Sequence, residues 1–171
     1  MNNARYALDA NIFIEAKKRY YSFELCPGFW EALLWHHKKN RLSSINLIKD
    51  ELSRGNDELA KWINKTMPKT CFVSIDDSDI IKWFAQISNW VQTQSQFTQG
   101  AKADFAKAAD GWLIAYAKVN NLILVTHEVY DPSVKVRVKI PNVCNAFDVM
   151  CVNTFDMLKD FKTCFLWKSP G

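Results

Sequence analysis

Four acidic residues stand where chemistry on an anion would need them. Asp9 ends a short apolar run, Tyr6-Ala7-Leu8, that reads as a first strand. Glu128 follows by two positions the run Leu122-Ile123-Leu124-Val125-Thr126, the clearest strand in the chain. Asp110 lies in the helical stretch feeding that same strand, and Glu51 shares a helix with Ile48 and Leu52, near its apolar face. Carboxylates gathered in one crevice repel one another unless something positive neutralises them. Hard divalent cations, Mg²⁺ or Mn²⁺, do this through oxygen ligands, keep several waters and take the rest from substrate phosphates. The chemistry served by such a cluster is phosphodiester hydrolysis, in which the ion activates water and stabilises the attacked and leaving oxygens. Taken singly, each acid has a plainer reading: Asp9 a turn residue, Asp110 a helix cap, Glu51 a solvated helix edge, Glu128 a loop acid. Their joint placement carries the argument.

The elements that must position these acids alternate along the chain. Strands are expected over 6–8, 42–45, 71–75, 122–126 and 149–152. Helices are expected over 11–19, 29–39, 45–52, 57–65, 79–96, 102–120 and 154–161. Pro27-Gly28 is read as a break, Gly55 as a helix stop, and Asp76-Asp77-Ser78 as cap chemistry for the long helix. The stretch 134–140 alternates Val, Lys, Val, Arg, Val, Lys, Ile and reads as a half-buried strand or extended edge. Alternation of helices with buried strands predicts an α/β fold. This is a three-layer α/β/α sandwich on a central, mostly parallel sheet of four or five strands. Ligands of such sheets bind at the carboxyl ends of the strands, where Asp9 and Glu128 fall.

The chain has 171 residues, 49% apolar and 23% charged, which excludes a disordered polymer and fits one domain. That domain is expected over 1–171, with a helical elaboration at about 77–100 and a tail at about 162–171. Net charge is +4, permitting a polyanionic partner without demanding one. The five cysteines, Cys26, Cys71, Cys144, Cys151 and Cys164, are scattered with no zinc-knuckle or redox spacing. They are expected as buried, reduced thiols of a cytoplasmic protein. No signal segment opens the sequence, and nothing approaches the ~18 consecutive apolar residues of a membrane span.

The ordered motifs resemble those of the PIN-domain family of metal-dependent, VapC-like nucleases. The resemblance is carried by Tyr6-Ala7-Leu8-Asp9-Ala10-Asn11, by Ile48-Lys49-Asp50-Glu51-Leu52, and by Asp110-Gly111-Trp112-Leu113-Ile114-Ala115-Tyr116-Ala117 running on to Thr126-His127-Glu128. It spans nearly the whole chain; the first and third blocks are specific together, the glutamate block weak alone. More narrowly, 20–30 and 139–144 are similar to a bacterial PIN subfamily long left without an assigned function, whose members tend to be encoded beside an antitoxin. The resemblance implies a PIN-like fold and a metal site of Asp9, Glu51 and Asp110, with Mg²⁺ or Mn²⁺ as cofactor. Glu128 stands where many members have Asp; one methylene longer, it still reaches a metal directly or through water. Thr126 and Asn11 are implied as supporting residues. A toxin–antitoxin setting, a cognate antitoxin as protein partner and a homodimer are implied in the same way. RNA is favoured over DNA as substrate. A deoxyribonuclease toxin is one alternative, and a catalytically silent PIN-like module that binds nucleic acid or protein is another. A phosphatase using Asp9 as nucleophile ranks low, because Asn11 occupies the place of its second acid.

Two basic clusters are candidates for a nucleic-acid grip. Lys135, Arg137 and Lys139 would share one face of a strand, at intervals approximating successive phosphates; equally, they would guard a solvated edge. Lys17-Lys18-Arg19, followed by Tyr20-Tyr21, would hold a backbone and stack a base, or simply form a solvated helix end. His36-His37-Lys38-Lys39 reads as the cationic end of a helix. Asp104 precedes Asp110 by six residues. A continuous helix would place it ~120° away from Asp110, as a surface acid. His127, between Thr126 and Glu128, is assigned no catalytic role.

Overall fold

A computed structural model describes residues 4–167 and 169. Positions 168, 170 and 171 of the expected tail lie outside the described residues, as do 1–3. Among the described residues five strands form one sheet: β1 (Tyr6–Leu8), β2 (Leu42–Ile45), β3 (Phe72–Val73), β4 (Ile123–Val125) and β5 (Cys151–Val152). Their order is β3-β2-β1-β4-β5, and every neighbouring pair is parallel. β1 is central, and all three of its residues are buried, as an apolar strand covered on both faces requires. The chain moves outward from β1 through β2 to β3, then returns to lay β4 on the other side of β1. The carboxyl ends of β1 and β4 therefore flank the point where the winding reverses, the usual crevice for a ligand in open α/β sheets.

The connecting helices are α1 (Ala10–Glu15), α2 (Pro27–Lys38), α3 (Asn46–Ser53), α4 (Glu58–Lys65), α5 (Ser78–Thr93), α6 (Gln99–Lys107), α7 (Asp110–Asn120), α8 (Ile140–Ala146) and α9 (Thr154–Asp160). A π-helical turn, Ala16–Tyr20, extends α1. The core between sheet and helices includes Leu8, Phe13, Phe29, Ile48, Leu113, Ile114 and Leu124, each fully or almost fully buried. Burial of each such large side chain contributes about 1.5–3 kcal/mol. Caps follow their expected chemistry: Asp77 accepts from the N–H groups of Asp79 and Ile80, and Asp57 from that of Ala60. Among the described residues no helix is long and apolar enough to cross a membrane.

Several expectations are corrected. Residues 134–139 form no strand: the Lys135 carbonyl accepts from the Thr98 N–H, and the Val134 carbonyl from the Gln96 side chain. The valines do not share a buried face, since Val138 is 3% exposed and Val136 79%. The stretch 102–120 is two helices, because Ala108 turns extended (φ −79°, ψ 161°) and ends α6. Pro27 does not break the chain but begins α2, where its missing N–H costs nothing. His36 is not a solvated cation at a helix end. It is buried and stacked on Phe161 at 3.6 Å, and burial lowers its pKa to about 4. All five cysteines are free, but only Cys71 and Cys144 are buried.

The restart at α7 depends on Gly111. A Cβ there would stand 3.0 Å from the Phe84 ring and 3.2 Å from that of Phe105. Phe84 in turn stacks on Trp112 at 3.7 Å. This close approach packs α5 and α6 against the first turn of α7, and so fixes where Asp110 begins that helix.

Candidate active site

Asp9 follows the last residue of β1 and is 3% exposed. Its N–H donates to the Val125 carbonyl at 3.1 Å, so the ladder between β1 and β4 continues to the acid. Thr126, the first residue after β4, donates its hydroxyl to Asp9 Oδ2 at 2.9 Å. The same hydroxyl accepts from the Glu128 N–H at 3.2 Å. Asn11 Nδ2 donates to Asp9 Oδ2 at 3.3 Å. One carboxylate oxygen is thus held from two sides, which orients the other. Burial nevertheless raises the Asp9 pKa to about 6; the Thr126 hydrogen bond opposes the rise, and the charge of Glu128 adds to it.

Asp110 opens α7 and is half-buried. Burial first, then the charges of Asp9 and Glu128, push its pKa up to about 7. Arg137 pulls it back, and Glu51 adds a smaller rise. Asp9, Asp110 and Glu128 therefore sense one another through a poorly solvated crevice. Glu51 lies on α3 and is exposed rather than turned to the apolar face, yet its charge reaches Asp110.

Glu128 is held more firmly than a loop acid. Its Oε2 accepts from the Ile140 N–H, the first of α8, at 2.7 Å, and its Oε1 is ion-paired with Arg137. The Glu128 side chain is only 9% exposed, the Arg137 side chain 60%. Arg137 lines the cleft of about 170 Å³ that holds Asp104 and Asp110, and also a cleft of about 370 Å³ that holds Asn11 and Glu128. Because α6 ends before α7 begins, Asp104 faces the same small cleft as Asp110 rather than an unrelated helix surface. Among the described residues, no three acid, histidine or cysteine side chains converge closely enough to cage an ion by themselves.

The basic candidates disperse. Lys17 pairs with Asp57 at the start of α4, at 2.7 Å. Lys18 is exposed, and Arg19 pairs with Glu15 while lining the larger cleft. Lys135 is exposed, and Lys139 turns to Asp131 and the Val129 carbonyl. Of the three alternating cations only Arg137 meets the acids. Its role is invisible in the sequence, because alternation implies a strand that does not form. His127 lies beside Thr154, with 3.0 Å between Nε2 and the Thr154 hydroxyl, and burial lowers its pKa.

The all-parallel five-stranded sheet flanked by helices is a PIN-like α/β/α fold. The chain shares this fold with FitAcB from Neisseria gonorrhoeae (TM-score 0.53, 16% identity, 88% of this chain and 98% of that one). It also shares it with VapBC2 from Rickettsia felis bound to a DNA fragment from their promoter (TM-score 0.54, 15% identity, 86% and 97%). By sequence, residues 6–165 match a domain of unknown function, DUF4411, and the chain belongs to that family. No curated protein matches it.

Proposed function

We propose that this protein is a divalent-metal-dependent nuclease that hydrolyses phosphodiester bonds, a ribonuclease acting as the toxin of a toxin–antitoxin pair. One observation carries the reading: the charges of Asp9, Glu128 and Glu51 all reach Asp110 beside the switch point of the sheet, and burial with that repulsion raises the pKa of Asp9 to about 6 and that of Asp110 to about 7. Two carboxylates so placed gain most when a cation shares their crevice. The donor set is all hard oxygen, which suits Mg²⁺ or Mn²⁺. Mg²⁺ takes one or two carboxylates and keeps waters and substrate phosphates for the rest, so a pair of acids is enough to hold it. Asp9 and Asp110 would hold the ion, with Glu51 and Glu128 contributing through solvent. Such an ion supplies Lewis-acid stabilisation of the phosphate and a more acidic water. The chain's own part is to orient Asp9 through Thr126 and Asn11, and to keep the crevice poor in bulk water. Arg137 and Arg19 lie where a phosphate backbone would approach.

The toxin reading rests on the sequence resemblance and on the shared fold. VapBC2, one of the proteins with this fold, was crystallised bound to a DNA fragment from its promoter. An antitoxin partner and a cytoplasmic setting follow from that reading. One observation favours the silent-module alternative: Glu128 is already engaged by the Arg137 ion pair and the Ile140 N–H. Cleavage of single-stranded RNA, tRNA and plasmid DNA, in Mn²⁺ and in chelator, decides among these. RNA is expected to be cut in Mn²⁺ only, and Asp9→Asn and Asp110→Asn to abolish cutting while the fold survives. Undiminished cleavage by both variants would overturn the assignment. Absence of any Mn²⁺ binding, or binding unaffected by losing Asp9, would favour the silent module.

A further inference from the structure

Beside the acids, three aromatic rings come together without being sealed into the core. Tyr20 ends the π-helical turn and is 49% exposed; Phe155, in the first turn of α9, is 40% exposed. Their rings stand 5.5 Å apart, edge to face. The His127 ring lies 5.9 Å from Tyr20 and 6.2 Å from Phe155. Three elements far apart in sequence thus contribute one ring each. The group is braced from behind: Tyr21 stacks on the buried Phe29 at 4.5 Å and lies 6.5 Å from Phe155, and Thr154 holds the His127 ring. A cluster of exposed rings beside a cleft is the kind of surface that marks an interaction site, and aromatic rings pair well with other flat rings.

Two of the three rings, those of Tyr20 and His127, line the cleft of about 370 Å³ that Asn11, Glu128, Arg19 and Arg137 also line, and Phe155 packs against both rings. That volume lies in the ~300–1,000 Å³ range of ligand clefts. One cleft therefore offers aromatic faces, two guanidinium groups and, through Asn11, the neighbourhood of Asp9. Stacking surfaces beside cations that track a backbone are what an unpaired nucleic-acid strand requires. A duplex keeps its bases stacked on each other and has no free face to offer unless a base is flipped out.

We infer that Tyr20, His127 and Phe155 form a base-stacking subsite, which takes one unpaired nucleobase of the substrate strand while the adjoining phosphate lies against the Asp9–Asp110 crevice. This rests on the nuclease reading above and adds to it the residues that select unpaired strands. The sequence sets Tyr20-Tyr21 near a basic cluster, but Phe155 and His127 join it only through the fold.

The test is binding without cleavage. A short fluorescent oligonucleotide, in ribo and deoxyribo arms, is titrated in EDTA as a single strand and as a blunt duplex, and anisotropy is read. Wild type is expected to prefer the single strand. Tyr20→Ala, alone and with Phe155→Ala, is expected to weaken single-strand binding by about tenfold or more and to leave duplex binding unchanged. Tyr20→Phe, which keeps the ring, is expected to bind as wild type, and thermal melting checks that each variant is folded. Equal binding of strand and duplex by wild type, or unchanged strand binding by folded Tyr20→Ala, overturns the subsite. If wild type still cuts RNA in Mn²⁺, that failure leaves the nuclease reading standing. If wild type neither binds nor cuts any nucleic acid, the nuclease reading falls and the subsite with it.

Discussion

Arg137 is ion-paired with Glu128 from a stretch of chain that has no regular structure. The guanidinium is the positive group that meets the acids, and it lowers the pKa of Asp110 that Asp9 and Glu128 raise. It thus does part of what a bound cation would do. Arg137→Gln is expected to lower the melting temperature of ion-free protein and to tighten Mn²⁺ binding several-fold, since one more uncompensated charge then faces the crevice. Calorimetric titration of both proteins at one pH measures the difference; weaker Mn²⁺ binding by the variant would show that Arg137 supports the site rather than competing with the ion.

Thr126 joins Asp9 to Glu128 through one hydroxyl, which donates to the first and accepts from the backbone of the second. Hydrogen bonds to a charged group contribute about 1.5–3 kcal/mol. Thr126→Val keeps the volume and removes both bonds. It is expected to raise the Asp9 pKa further and weaken Mn²⁺ binding by about tenfold, whereas Thr126→Ser retains both properties. Carboxyl titration followed by NMR, with calorimetry beside it, reads the two effects.

The raised pKa values of Asp9 and Asp110 have a definite sign in stability. The folded protein holds protons that the unfolded chain releases. The contribution of these groups is therefore fully present below about pH 4 and is lost as pH rises through about 6 and about 7. A pKa that differs by one between the folded and the unfolded chain corresponds to ~1.4 kcal/mol. Asp110→Asn removes one titrating group, so relative to wild type it is expected to gain about 2–4 kcal/mol between pH 4 and pH 8 in chelator. Urea unfolding at several pH values checks this; a constant difference across that range would refute the raised pKa. Saturating Mn²⁺ at pH 8 is expected to restore the wild-type stability that rising pH removes.

Gly111 tests how tightly α7 is docked. Gly111→Ala forces the rings of Phe84 and Phe105 to give way, and Phe105 is itself buried. The expected loss is about 1–3 kcal/mol, despite the better helix propensity of alanine. Because Asp110 is adjacent, Mn²⁺ affinity is expected to fall with it. Denaturation and calorimetry on the one variant measure both.

The central strands are legible in the sequence because their runs, Tyr6-Ala7-Leu8 and Leu122-Ile123-Leu124-Val125, are apolar at every position and bounded by polar residues. Asp9 and Glu128 are legible as candidates because they follow those runs. The break between α6 and α7 is not, because alanine at 108 and 109 carries no local signal for an extended residue. That break comes from the packing of Phe84 and Phe105 against Gly111, which is tertiary. The path of 134–139 departs from its pattern for the opposite reason. Its alternation is a strong local signal, overridden by bonds to Gln96 and Thr98 and by the ion pair of Arg137. Pairwise meetings such as Tyr20 with Phe155 have no sequence signature at any separation.

The sheet order has a consequence for the protein's own synthesis. Asp9 emerges from the ribosome early, but its partners Asp110, Thr126 and Glu128 lie more than a hundred residues later, and β4 must reach β1 before they meet. At ~5–20 residues per second, several seconds separate the first acid from the last. Until then the nascent chain has no assembled crevice, so whatever reaction the crevice performs cannot be turned on the ribosome or transcript that is making it.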